Sequence, residues 1–406
     1  MDPAVIISGY SRSNSLSRLL DSISNAKYPH KNIEIVISLD GGASKEVLAV
    51  AKRFKFSNGN VTVVTRDNNV GLRKHILWCG DQSLKYGSVI VLEDDIVVDP
   101  YFYLYASAAL DFYEGSQNIA GIALYAPHYN EYIGLPFEPF WAGHSSYFMC
   151  VPCSWGQAWS ATQWNEFRNW YKYSTCRDVN DCELLPEAVK KWPESSWKKY
   201  FAAYMVNLSK YFVYPYVAYS TNCSDTGGKH VRQQSNEFQV PMPHPERVYE
   251  PPHFQRLKED SIRYDSFMEP ELYRELSAYG MEPSEIEVDF YGSKPLSVLM
   301  KKKFCLTSKS PVEAIKSFPL RFRPIERNLS YSNNDPKAGP LYLCLSKSIR
   351  PETVLRQQTC YYKFFEYYFF FPLSTKHIFS LLLYIFKKIR TFIRFSRILQ
   401  KFSHKK

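Results

Sequence analysis

The sequence predicts an α/β protein: a mostly parallel sheet with flanking helices, then a C-terminal extension ending in an amphipathic basic helix. Three observations predict it. Short apolar, β-branched runs recur at 4–8, 32–38, 61–65, 88–92 and 119–124. Segments with helical spacing separate them, which is the pattern of βαβ units. The fourth run, Ser88-Val-Ile-Val-Leu92, passes straight into Glu93-Asp94-Asp95. Buried charge is costly, so these carboxylates belong at the strand's carboxyl end, where open α/β sheets bind ligands.

In order, Ala4-Val-Ile-Ile-Ser8 is a first buried strand and Gly9-Tyr-Ser-Arg12 a turn. Asn14 or Ser15 can cap a helix whose apolar face is Leu16, Leu19, Leu20 and Ile23. The second strand, from Asn32, ends in Leu39-Asp40-Gly41-Gly42, where Asp40 suits a turn. The third is followed by Arg66-Asp-Asn-Asn-Val-Gly-Leu72 and a helix over 72–84. A helix over 101–112 follows Pro100. Neither GxGxxG nor GxxxxGK[ST] is present, which excludes the dinucleotide fingerprint and the P-loop.

From 126 to 173 the pattern turns aromatic, with Trp141, Trp155, Trp159, Trp164 and Trp170. Such residues either line a sugar- or lipid-binding groove or form an irregular core. A Gly-containing loop, Thr221 to His230, follows a strand-like 211–219 stretch. The proline-rich 241–252 stretch reads as a linker. These features divide the chain into 1–235, with halves 1–125 and 126–235, an accessory region 236–345, and a tail 346–406.

The net charge of +10 is concentrated in the tail. Nine Lys or Arg and no acid lie in 376–406, which leaves the remainder near +1. A neutral body argues against nucleic acid as a partner. The runs 364–372 and 378–386 are apolar but too short to span a bilayer. The stretch 387–401 alternates basic and apolar residues at helical spacing, as an interfacial helix on an anionic leaflet does. Nine scattered cysteines and no signal-like N-terminus suggest a cytoplasmic protein, peripheral on the inner membrane face.

Strand-turn-Arg12, Asp40, Asn69-Val-Gly-Leu72, Glu93-Asp94-Asp95 with Pro100, Ser154-Trp-Gly-Gln-Ala-Trp159 and Gly-Gly-Lys-His230 occur in this order. Over about residues 3–232 the chain thereby resembles GT-A-fold nucleotide-sugar glycosyltransferases of the family 2 type. The Glu-Asp-Asp form is also similar to that of the N-acetylglucosaminyltransferase that initiates hybrid N-glycans. The resemblance implies transfer of a hexosyl or N-acetylhexosaminyl group from a nucleotide-diphosphate sugar, UDP favoured, to a hydroxyl acceptor. That acceptor would be a lipid-linked or cell-surface glycan, with a place in polysaccharide biosynthesis. It implies that Asp95 and His230 hold Mn²⁺ or Mg²⁺. Ser8, Tyr10, Arg12, Asp40, Asn69, Gly71, Arg73 and Asp94 would contact the nucleotide-sugar. Related sequences place an acid before a Ser-Trp pair. Here Ser195 precedes Ser196-Trp197, so the nearest acid, Glu194, is the expected base, with Asp178, Asp181 and Glu183 as rivals. The competing expectation is a membrane-associated scaffold, without activity, on a degenerate GT-A fold.

Overall fold

A computed structural model describes residues 1–406 except 226–235, 273–274, 277–278, 331–338, 351–362, 370–378, 380–381, 384–385 and 387–406. The first half runs β1 (Ala4–Gly9), α1 (Ser13–Ser24), β2 (Ile33–Leu39), α2 (Lys45–Arg53), β3 (Gly59–Thr65), α3 (Leu72–Asp81), α4 (Ser83–Tyr86), β4 (Ser88–Glu93), β5 (Ile96–Val98), α5 (Phe102–Phe112) and β6 (Ile119–Ala123). The second continues with β7 (Tyr129–Asn130), β8 (Leu135–Pro136), β9 (Ser146–Met149), β10 (Gln157–Ser160), α6 (Ala161–Tyr173), α7 (Cys176–Asn180), α8 (Glu187–Lys190), α9 (Trp197–Asn207), β11 (Tyr211–Pro215), β12 (Ser220–Asn222) and β13 (Arg263–Tyr264).

Nine strands form one sheet in the order β13-β9-β11-β6-β10-β4-β1-β2-β3. The β4-β1-β2-β3 half is parallel, whereas β10 is antiparallel to both β4 and β6. The apolar runs are continuous because both faces are covered. Val5, Ile7, Ile35, Ile37, Ile90 and Leu92 face the core beside α1 and α5, while Ile6, Val36, Val89 and Val91 face the one beside α3, α6 and α9. The edge strand β3 alternates half-buried and exposed positions instead.

Local chemistry sets several boundaries. Helix α1 starts at Ser13 with Arg12 as its cap and no side-chain cap bond, so neither Asn14 nor Ser15 caps it. The 72–84 helix divides at Gln82 into α3 and the single turn α4. Helix α6 opens with a capping box between Ser160 and Gln163.

The proline-rich stretch after 236 is more than a linker. It runs back over α5 as a strap. Arg247 makes two hydrogen bonds to buried Asp99, at 2.7 and 2.8 Å. Tyr249 stacks on Tyr101, and Phe254 packs among Tyr105, Phe112 and Tyr113. The strap ends in β13, which pairs with β9, so the main sheet extends past 235 to Tyr264.

Beyond it, β14 (Ile286–Asp289), β15 (Phe304–Thr307), β16 (Lys316–Phe318) and β17 (Leu341–Leu345) form a second sheet, ordered β14-β15-β17-β16. Its apolar core takes Phe364 and Tyr368 from a helix over 363–369. Ser346 packs with this sheet, its hydroxyl 3.0 Å from Cys305 Sγ, so the boundary expected at 346 falls later. Among the described residues no helix is long and apolar enough to cross a membrane. The basic helix expected over 387–401 lies outside the described residues.

Candidate active site

The carboxyl ends of β1, β2 and β4 lie side by side, with Ser8 opposite both Ser38 and Glu93. The loops leaving these ends carry most of the expected residues. Asp40 is 5% exposed and ties two loops together. Its carboxylate accepts the backbone N–H groups of Gly41 (2.8 Å), Val70 (3.0 Å) and Gly71 (3.0 Å). A Cβ at Gly41 would lie 2.0 Å from the backbone carbon of Asn68, so only glycine lets these loops meet. Asp40 therefore shapes the rim. Exposed Tyr10 and Val70 border it, and the Tyr10 hydroxyl lies 3.7 Å from where a Gly42 Cβ would sit. Asn69 is exposed on the same loop. Arg73 turns elsewhere, its guanidinium 5.1 Å from the ring centroid of Tyr200 on α9.

Beneath the rim, Ser8 is buried and its hydroxyl is 3.4 Å from His75 Nδ1, while Ser38 Oγ is 2.8 Å from His75 Nε2. Ser8 thus supports the rim from below. Burial, helped by nearby Arg66, pushes the His75 pKa down to about 4. Arg66 stacks on Trp78 at 4.5 Å and donates to Ser38 Oγ at 2.8 Å.

The acidic triplet divides. Arg12 spans Asp94 and Asp95: Nη2 bonds Asp94 Oδ1, and Nη1 donates to Asp95 Oδ2 at 3.1 Å. Burial raises Asp94 to about 6 despite Arg12. Burial, then repulsion from Asp95 and Asp94, raises Glu93 to about 8, opposed by Arg12 and Lys198. Asp95 Oδ1 is buried and has no hydrogen-bond partner among the described residues. An orphaned carboxylate oxygen beside a second aspartate fits a hard divalent cation. Among the described residues no three His, Cys, Asp or Glu side chains form a ready cage. Mg²⁺-type sites need only one or two carboxylates when substrate phosphates complete them.

Strand β12 pairs with β5, so the chain beyond Asn222 runs beside the triplet, and Cys223 N–H donates to the Asp95 carbonyl at 2.8 Å. Asp225 is held by Ser15 at 2.7 Å and by Arg18. His230, the expected second metal ligand, lies outside the described residues.

A small open pocket is lined by Tyr129, Glu131, Ser154, Trp155, Lys198 and Phe238, among others. Glu131 sits on the turn between β7 and β8, and its Oε1 is 3.1 Å from Lys198 Nζ. Trp155 stands against Tyr125 (4.8 Å) and Phe238 (5.0 Å). Trp159, Trp164 and Trp197 are buried core, so the aromatic stretch serves partly as groove and partly as core. Glu194 is exposed on the turn closed by Ser196 N–H to the Pro193 carbonyl and does not line the pocket. Of its rivals, Asp178 bonds Thr175 and Glu183 pairs with Lys301. Glu131 escaped the sequence reading because it lies in an irregular stretch with no motif around it, and Lys198, directly after the Ser196-Trp197 pair, because that pair was read for an acid before it.

This mostly parallel sheet, with the expected site residues at the carboxyl ends of β1, β2 and β4, has a GT-A-type fold. Residues 4–137, about a third of the chain, match the family model Glycosyl transferase family 2. No curated protein matches the sequence. Similar solved structures include Staphylococcus aureus TarS 1–349, at 16% identity over 55% of this chain and 61% of that one, TM-score 0.37. The same protein in complex with UDP-GlcNAc aligns at 14% identity over 57% and 61%, TM-score 0.38. The mannosyltransferase PcManGT from Pyrobaculum calidifontis, in complex with GDP-Man and Mn²⁺, aligns at 12% identity over 42% and 47%, TM-score 0.31. The alignment thus spans less than two thirds of either TarS chain.

Proposed function

We propose that the protein is a metal-dependent glycosyltransferase that moves a hexosyl or N-acetylhexosaminyl group from a nucleotide-diphosphate sugar, UDP favoured, to a hydroxyl of a glycan or glycolipid. The observation that carries this reading is the placement of Arg12, Asp94 and Asp95 together at the rim of a family 2 domain. Asp95 would hold Mn²⁺ or Mg²⁺, with His230 as second ligand by resemblance. Bound there, the cation offsets the charge that develops on the leaving diphosphate. Tyr10 and Val70 offer the nucleobase an apolar edge, on loops that Asp40 and Gly71 keep in register.

The neighbouring pocket suits the acceptor. Trp155 presents a ring to a sugar face, and the Glu131 carboxylate lines the same pocket. In a direct displacement, Glu131, rather than Glu194, takes the proton of the acceptor hydroxyl. That oxygen then bonds the anomeric carbon, and the bond to the diphosphate oxygen breaks with its electron pair. Lys198 orients the carboxylate. The tail would place this site at the cytoplasmic membrane face, where a lipid-linked acceptor is found. Its support is the apolar face of Phe379, Leu382, Leu383 and Phe386, all exposed, just before the basic run.

Calorimetry with UDP and Mn²⁺ tests the reading. UDP is expected to bind only with Mn²⁺ present, and Asp95→Ala to abolish that binding, while Lys55→Ala on the far edge leaves it intact. Absence of any UDP binding by the full chain would leave the scaffold alternative standing.

A further inference from the structure

Two adjacent aspartates at a sheet rim need a counter-charge even when no ligand is present. The structure shows what supplies it. The Arg12 guanidinium is a fork, and both prongs are used, one on Asp94 and one on Asp95. Its side chain is 16% exposed, against 6% for Asp94 and 15% for Asp95, so the three form a largely enclosed unit. Arg12 is held from behind, because its carbonyl accepts the N–H of Leu16 in the first turn of α1. The next cation along, Arg18, is committed to Asp225. Arg12 thus already occupies one oxygen of the carboxylate that would bind the metal, and leaves the other, Asp95 Oδ1, buried and unpartnered among the described residues.

We propose that Arg12 is a resident counter-cation. It holds Asp94 and Asp95 in place of the metal in the free protein and transfers to the diphosphate when metal and nucleotide enter together. This rests on the metal-dependent reading above. Two consequences follow. A divalent cation arriving alone competes with the guanidinium for Asp95, so it binds weakly. A diphosphate arriving with it offers Arg12 two new anionic groups, for which a guanidinium fork is well suited. Metal and nucleotide therefore bind cooperatively, and each raises the affinity of the other by the same factor.

The test is a titration of the full chain with Mn²⁺, with free Mn²⁺ followed by electron paramagnetic resonance, without and with saturating UDP. In the parent protein UDP is expected to tighten Mn²⁺ binding at least tenfold. In Arg12→Ala, Mn²⁺ alone is expected to bind about tenfold more tightly than in the parent, and the tightening by UDP to shrink several-fold. Arg12→Lys keeps the charge and loses the fork, so Mn²⁺ alone should bind it a few-fold more tightly than the parent, and the tightening by UDP should be smaller than in the parent; this variant decides if Arg12→Ala fails to fold. Unchanged or weaker binding of Mn²⁺ alone, relative to the parent, in a folded Arg12→Ala or in Arg12→Lys would overturn the proposal. Mn²⁺–UDP binding by the parent in that same experiment would leave the glycosyltransferase reading untouched. If the parent binds no Mn²⁺ even with UDP, the metal-dependent reading fails, and this inference with it.

Discussion

Lys198 Nζ lies 3.1 Å from Glu131 Oε1 and between two indoles, 5.5 Å from the Trp155 ring and 5.1 Å from the Trp192 ring. The ammonium joins the β7–β8 turn to the start of α9, and both residues line the pocket. It fixes where the carboxylate points, which a proton acceptor requires.

Glu131→Gln keeps the shape and removes the proposed proton acceptor. Sugar transfer should fall by about 100-fold or more in kcat, as for loss of a general base. UDP affinity measured by calorimetry with Mn²⁺ should stay within twofold. Glu194→Gln should transfer at nearly the parent rate. The reverse ranking in a steady-state assay would return the base to Glu194.

Asp40→Ala removes a carboxylate that accepts three backbone N–H groups. Hydrogen bonds to charged groups and the cost of orphaned donors put the loss at about 3 kcal/mol. Urea unfolding should show a lower midpoint at unchanged slope. Asp40→Asn should fall between, because its single carbonyl oxygen can serve only part of the set.

His75 gives a pH dependence of definite sign. In the fold it stays neutral down to about 4, against an ordinary value of 6.5. Between these values the unfolded chain binds the proton and the folded chain does not. Its contribution to stability is therefore present at neutral pH and is lost as pH falls from 6.5 to 4, by about 3 kcal/mol in total. Glu93 and Asp94, raised by burial, act in the opposite sense, so the difference between parent and His75→Gln isolates the effect. Urea midpoints measured from pH 7 to 4.5 should fall more steeply for the parent. Parallel curves would show that the imidazole is not held neutral.

The tail prediction reads out on lipid. The full chain should sediment with vesicles rich in phosphatidylserine and come off in high salt, since each basic residue near such a surface adds about 1 kcal/mol. A chain lacking 376–406 should stay in the supernatant. Equal sedimentation of the two forms would show that the tail is not the anchor.

The parallel half of the sheet was readable because its strands are buried on both faces and leave unbroken apolar runs. The rim was readable for the same reason: Asp40 and Asp94 stand out where such a run stops. Their division of labour was not. Nothing in the spacing of Asp40 shows that its oxygens would be taken by Gly41, Val70 and Gly71. Nor does any motif announce Glu131, which reaches the pocket through a two-stranded turn. The strap was misread as a linker because proline signals extended chain without saying what that chain rests on. Arg247 finds Asp99 148 residues away, a pairing no local pattern records.

That strap also limits how the protein can be cut. Ending the chain at 235 would uncover the rings of Tyr105, Phe112 and Tyr113 and leave β9, without β13, as the edge of the sheet. It would also leave the buried Asp99 carboxylate without its guanidinium. A fragment designed to the apparent end of the family-like region would be sticky and poorly soluble, and a usable one has to continue at least through Tyr264.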